Sequence, residues 1–302
     1  MFQDNNWYGN RYILSKYLNE KDKLVFGSIQ HGYTFLHDDL KIKKRKLTFA
    51  PWFVWNSYYY SKLKKDGHSN IIPIGSPFVY LHKLLKYKKK NSLGTLIIPS
   101  KSAYEIDIVV DYVKLYEFVK KNFNAPYAIL VGYGDLKRAK SIRSKLKDCK
   151  FITCGKRSNK FFTYNLYNYI NKYKNIVHFY PGSPLFYSLF LKKKTYYYKK
   201  RFVKSLKGKG IKFKNQIELK LLEKEDNEII ESIKKECGIN FNNLNTLNNY
   251  KKAKLALGYG NIKSKNKLKK LLGWNSLIKY CFALIFKIII NLKNYEVTNH
   301  KY

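Results

Sequence analysis

Arginine is the scarce cation of a strongly basic chain. Of 60 basic residues only six are arginine (positions 11, 45, 138, 143, 157 and 201), leaving 54 lysines against 20 acids and a formal net charge of +40. Nucleic-acid readers lean on arginine forks for guanine and phosphate. The sequence has no zinc-finger spacing, RNA-binding aromatic signature or basic heptad region either, so no nucleic-acid partner is expected. Lysine, asparagine, isoleucine and tyrosine run high together, the composition that AT-rich coding DNA produces, and a lysine-covered surface suits anionic membranes better. The four cysteines, at 149, 154, 237 and 281, form no CxxC pair and no zinc knuckle. That excludes a disulfide-stapled miniprotein and points to a reducing cytoplasm. Seven prolines and 16 glycines are too few for collagen-like or low-complexity classes. No basic region followed by an apolar stretch opens the sequence, so no secretory leader is visible. What is present is enough apolar material for a proper core: 302 residues, 45% hydrophobic and 17% aromatic.

Apolar runs bounded by turn residues predict strands at 24–30, 47–55 and 70–75, separated by helices near 57–66 and 78–88. The Lys-rich run at 87–92 reads as a linker closing a short α/β unit. Residues 93–200 alternate most clearly. Strands are expected at GTLIIPS, PYAILVGY, KFITCG, NIVHFYP and TYYY, with helices at 103–121, 135–147, 160–174 and 184–191. Five strands with four crossovers make a parallel sheet the natural solution. Beyond 201 come a basic stretch, an acidic helix expected to present a solvated face (Glu218, Glu223, Glu225, Asp226, Glu228, Glu231, Glu236) and an Asn-rich loop. Residues 277–292 are nearly all apolar but carry Lys279 and Lys287, short of the ~20 apolar residues a membrane span needs. Two placements fit: an interfacial helix beside the basic run at 263–270, or a helix packed on the domains. The expected organisation is an N-terminal acceptor-side unit (1–90), a nucleotide-donor unit (91–260) and a basic, apolar tail (261–302).

In α/β sheets ligands sit beyond the carboxyl ends of the strands, where strand order reverses. One such end is Gly27-Ser28-Ile29-Gln30-His31-Gly32, where a strand delivers a histidine into a glycine-flanked turn. Imidazole titrates near neutrality and can take a proton from a hydroxyl; the same residue also serves as a turn histidine bonded to a carbonyl. A second is Tyr180-Pro181-Gly182-Ser183-Pro184, which opens a helix. Ser183 suits its N-cap and Pro184 its first turn, and the helix start suits a pyrophosphate. Ser100-Lys101-Ser102 and Gly155-Lys156-Arg157 follow two other strands and extend the anion site. His37, Asp38 and Asp39 adjoin one another, His37 expected as a surface residue, and no HExxH or DxD-type ligand set appears, so no metal site is expected. A GxSxG elbow and a Walker loop are also missing.

Tyr8-Gly9, GSIQHGYT, FVWN at 53–56, IIPIGSPFVYL at 71–81, TLIIPSKS, ITCGKRSNKFF, GSPLFYSLFLKKKTYYY and KAKLALGYGNIKSKNKLKKLLGW occur in that order. Together they resemble a family of bacterial surface-polysaccharide proteins found with O-antigen and capsule synthesis genes. That family is similar in layout to GT-B glycosyltransferases and, more distantly, to CDP-glycerol glycerophosphotransferases and bacterial sialyltransferases. The resemblance implies a GT-B-like α/β fold, two Rossmann-like domains facing a cleft, with the apolar C-terminal helix appended. It implies His31 as the base for an acceptor hydroxyl, with Gln30 and Gly32 beside it. Donor-phosphate contacts fall to Gly182 and Ser183, joined by Ser100, Lys101, Ser102, Gly155 and Arg157. Two departures stand out: Lys101 replaces a histidine of the family pattern, and the first domain is short for a GT-B half.

The resulting expectation is a metal-independent glycosyltransferase without cofactor. It moves a sugar from a nucleotide-activated donor, CMP- or CDP-linked by the likeness, to a glycan or lipid-linked glycan acceptor in lipopolysaccharide or capsule synthesis. It is expected in the cytoplasm, peripheral to the inner membrane and against its anionic surface. A polyol-phosphate transferase of the same fold is one alternative, and a non-catalytic basic adaptor for anionic polymer or membrane is the other.

Overall fold

The computed structural model describes residues 2–33, 50–85, 92–99, 106–200, 202–208 and 219–276, with positions 278, 279, 281, 284 and 285. A 3-10 segment, Phe2–Gly9, leads into helix α1 (Asn10–Leu18). Strands β1 (Ser28–Ile29), β2 (Trp52–Val54) and β3 (Ile71–Pro73) then form a small parallel sheet in that order. Helices α2 (Ser57–Lys65) and α3 (Pro77–Leu85) follow β2 and β3. Asn56 caps α2, its side chain accepting from Tyr59 N–H at 2.9 Å, and three lysines in the last turn complement the helix dipole. These elements fall on the runs the sequence marks out. The expected 87–92 linker lies mostly outside the described residues.

The second sheet contains β4 (Thr95–Ile98), β6 (Tyr127–Leu130), β7 (Cys149–Ile152), β8 (Asn175–His178) and β9 (Lys194–Tyr197). All neighbours are parallel and the order is β7-β6-β4-β8-β9, so the expected five-stranded parallel sheet is present. Crossovers run through α4 (Tyr112–Asn122), α5 (Leu136–Ser141), α6 (Phe162–Lys172) and α7 (Ser183–Phe190). The helix expected at 103–121 is only half helix, because β5 (Ile106–Val110) precedes α4 and pairs antiparallel with β10 (Val203–Gly208). The reason lies in IDIVV, where Ile108 and Val110 are buried while Asp107, one residue out of step with them, pairs with Arg138 at 3.1 Å. β-branched residues at a two-residue period favour a strand.

Both faces of the five-stranded sheet are covered, which explains its continuous apolar strands. Ile97, Ile129 and Val177 face a cluster that includes Leu115 and Val119 of α4. Their neighbours Leu96, Ile98, Ala128 and Ile176 face a second cluster, which continues through α3, α6 and α7 into Phe53, Trp55 and Ile29 of the small sheet. Phe78 stacks on Tyr187 within it, centroids 3.9 Å apart. The two sheets therefore share one apolar core, and a cleft between two separately cored domains is not established.

The chain then returns to the small sheet. Helix α8 (Leu219–Cys237) is followed by α9 (Leu247–Ala256), whose Ala256 carbonyl accepts from Asn56 Nδ2 at 2.6 Å. Gly258 comes so close to Trp55 that a Cβ there would lie 1.7 Å from the Trp55 carbonyl oxygen, so only glycine fits. Helix α10 (Lys265–Leu271) packs near α1, and Trp274 Nε1 donates to the Leu24 carbonyl at 2.7 Å. Residues 265–274, placed in the tail by the sequence, thus pack on the N-terminal unit. The apolar C-terminal helix is not established, since most of residues 277–302 lie outside the described set. Among the described residues no helix is long and apolar enough to cross a membrane.

Candidate active site

Strand order in the larger sheet reverses between β4 and β8, which makes the loop after β8 half of a topological switch point. That loop is Phe179–Gly182, and it delivers Ser183 as the first residue of α7. Gly182, not Ser183, is the N-cap, and no side chain caps the helix. The capping role expected of Ser183 is therefore corrected: its hydroxyl faces the other sheet, where Ser183 Oγ accepts from Tyr33 N–H at 2.8 Å. Pro184 has no N–H and Leu185 N–H is spent on the Gly182 carbonyl at 2.9 Å. The anion-binding capacity of this helix start rests on the Ser183 amide and hydroxyl and on the helix dipole.

Tyr33 ends the turn that follows β1, so the bond to Ser183 brings the Gln30-His31-Gly32 turn onto α7. A Cβ placed on Gly32 would lie 3.3 Å from Ser183 Oγ. Gln30 holds the turn from beneath. Its side-chain carbonyl accepts from Trp55 N–H, its backbone carbonyl accepts from Trp55 Nε1, and its amide donates to the Gly32 carbonyl, each at 2.9 Å. Gln30 is buried among these contacts, so the structure makes it a support of the turn. His31 is half-buried, and its ring lies 4.9 Å from that of Trp7.

Trp7 also carries the link to Arg157, whose guanidinium sits 4.6 Å from the Trp7 ring centroid. Such cation–π contacts are worth about 0.5–1 kcal/mol where exposed. The N-terminal segment can reach this loop because Tyr8 N–H donates to the Arg157 carbonyl at 2.7 Å. Gly9 follows at φ +72, and a Cβ there would lie 2.0 Å from the Lys160 carbonyl oxygen. Gly155 sits in the same loop, held by Asn159 Nδ2 donating to the Cys154 carbonyl at 3.2 Å. The structure thus gathers Gln30, His31, Gly32, Gly182 and Ser183 directly and joins Arg157 to them through Trp7. Ser100, Lys101 and Ser102 lie outside the described residues, as do His37, Asp38 and Asp39.

Three further residues near the site were not singled out in the sequence. Trp7 gives no periodic signal. His178, the last residue of β8, could have been noticed as the one ionisable group in an apolar central strand. Its Nε2 lies 3.1 Å from Ser188 Oγ, and Ser188 donates to the Pro184 carbonyl at 2.9 Å, so the ring donates through Nε2–H. Complete burial lowers its pKa to about 3 and keeps it neutral. The third is Glu236, expected on a solvated acidic face. Glu223 and Glu231 do face solvent, but Glu236 Oε2 accepts from Tyr33 OH at 3.2 Å, beside Cys237 Sγ at 2.8 Å from the same hydroxyl. Burial raises the Glu236 carboxyl above the usual range, with hydrogen bonds from Tyr33 and Tyr58 opposing. Burial also pushes the Cys237 thiol up to about 12. Among the described residues no group of three His, Cys, Asp or Glu side chains is arranged to hold a metal.

The chain matches no protein-family model, no curated protein and no solved structure.

Proposed function

We propose that the chain is a GT-B-like glycosyltransferase that moves a sugar from a nucleotide-activated donor to a bacterial surface-polysaccharide acceptor of O-antigen or capsule type. The observation that carries this reading is the 2.8 Å bond from Tyr33 N–H to Ser183 Oγ. It puts a histidine turn from one parallel sheet against a helix start at the switch point of another. Such an arrangement suits a transfer in which one side activates a hydroxyl and the other receives a phosphate leaving group.

In the proposed reaction the donor phosphates lie at the start of α7. Ser183 Oγ accepts from Tyr33 N–H and keeps its own proton to donate to a phosphate oxygen. His31 takes the proton of the acceptor hydroxyl, and the acceptor oxygen bonds to the anomeric carbon. The bond from that carbon to the donor phosphate breaks, and its electron pair leaves on the nucleotide. Charge gathering there is met by the Ser183 hydroxyl and the dipole of α7, in a fixed geometry. Arg157, exposed against the Trp7 ring, would meet the base or ribose of the donor. The proposed setting is cytoplasmic and peripheral to the inner membrane.

A thermal-shift screen against CMP, CDP, UDP and GDP tests the reading. One nucleotide at about a hundred times its Kd should stabilise the protein by roughly 2.7 kcal/mol. A selective response to a cytidine nucleotide supports the donor suggested by the resemblance. No response to any of the four contradicts the reading and favours a non-catalytic adaptor.

A further inference from the structure

A second site lies at the opposite end of the small sheet. Phe26 precedes β1 and Ile72 is in β3, and with Leu271 they give apolar walls to a cavity of about 610 Å³. Lys267, Lys270 and Lys279 line the same cavity. Lys267 and Lys270 are three apart on α10 and so share a face. The Lys279 ammonium lies 6.0 Å from the Phe26 ring centroid. No carboxylate among the described residues pairs with these three lysines, and nearby Glu20 is engaged by Lys269 and Lys23. Three lysines around one cavity with apolar walls, without a counter-charge among the described residues, call for a ligand that is anionic at one end and greasy at the other.

The surface beside the cavity narrows the choice. Ile278, the chain neighbour of Lys279, is 70% exposed. A large apolar side chain held in solvent beside a cationic pocket matches the boundary between lipid headgroups and acyl chains.

We propose that this pocket takes the phosphate headgroup of an anionic membrane lipid, with Ile278 seated at the start of its acyl chains. The proposal is independent of the transferase reading. It would orient the protein with the small sheet's N-terminal edge on the membrane and the His31 turn at the sheet's other end, away from the surface.

Co-sedimentation with vesicles of phosphatidylcholine containing phosphatidylglycerol, at 150 mM salt, tests it on the full chain. Because the whole surface is basic, the decisive comparison is between two triple variants of equal charge. K267A/K270A/K279A should weaken binding by about 150-fold, given roughly 1 kcal/mol for each lysine at an anionic surface. K137A/K140A/K147A, exposed lysines of the larger unit, should weaken it no more than about threefold by the same electrostatics acting at a distance. Equal losses in both, or none in the first, would overturn the proposal. Ile278→Asp should weaken vesicle binding about tenfold while the protein melts as wild type does, and unchanged binding would remove the acyl-chain seat. Inorganic phosphate at 10 mM should leave wild-type vesicle binding intact. Displacement by it would assign the pocket to a small free phosphate instead.

Discussion

Removing the Ser183 hydroxyl should loosen the junction between the two sheets in a way that helix capping does not predict. Ser183 is the first residue of α7, behind a Gly182 cap, so Ser183→Ala removes no cap. What it removes is the acceptor for Tyr33 N–H, and Tyr33 is only 6% exposed. Leaving a buried N–H without a partner costs about 1–3 kcal/mol. Alanine's better helix propensity returns up to about 0.5 kcal/mol. At roughly 2–4 °C per kcal/mol for a large domain, Tm should fall by about 1–12 °C. The local readout is amide exchange: Tyr33 N–H should lose protection in Ser183→Ala, while the amides of β8 keep theirs. Ser183→Thr retains the oxygen and should retain most of the protection. A Tyr33 amide equally protected in Ser183→Ala and wild type would refute the reasoning, whatever happened to Tm.

Other consequences concern buried titratable groups. His178 has a folded pKa of about 3 against an ordinary 6.5, so the unfolded chain takes up a proton that the folded chain refuses. Its contribution is full above pH 6.5 and lost as pH falls towards 3, on the order of 5 kcal/mol in all. His178→Leu should flatten the urea-unfolding free energy between pH 6.5 and 4, and an unchanged slope would show that other groups set it. Glu236 works in the opposite sense. Its folded pKa is raised by burial, so its stability contribution is full below pH 4.5 and lost as pH rises through the folded value. Glu236→Gln should therefore raise Tm at pH 7.5 and change it little at pH 4. A drop in Tm at pH 7.5 would mean the carboxylate is stabilised by charge partners in place of being penalised by burial. Arg157→Ala removes the cation resting on Trp7 and should weaken nucleotide affinity while moving Tm by only about 1–4 °C, about 0.5–1 kcal/mol at this size. An affinity equal to wild type would take Arg157 out of the donor site.

Much of this arrangement was legible in the sequence, because the larger sheet is buried on both faces and each of its strands is a short apolar run closed by a turn. Hydrophobic runs and their spacing give parallel strands and crossovers without knowledge of contacts. Residues 106–110 were misassigned because a β-branched pair beside a helical stretch reads as one longer helix. Only the pairing with β10, from almost a hundred residues later, separates them. The site was legible as two loops, at His31 and Ser183, since glycine and proline mark strand ends. Their mutual contact was not, because a bond across 150 residues leaves no local pattern. Trp7 reaches His31 and Arg157 only through the left-handed turn at Tyr8 and Gly9, a backbone feature invisible in composition. Glu236 sits in a charged helix whose sequence looks solvated throughout, and its burial follows from where α8 packs.

The central claim is that His31 activates the acceptor while the nucleotide is held elsewhere. It is tested most directly by measuring turnover and nucleotide affinity together in His31→Ala, using the donor found by the nucleotide screen. The account predicts a loss of turnover of about 10²–10⁴-fold with the nucleotide Kd unchanged. Turnover equal to wild type, or loss of nucleotide binding along with it, would contradict the assignment.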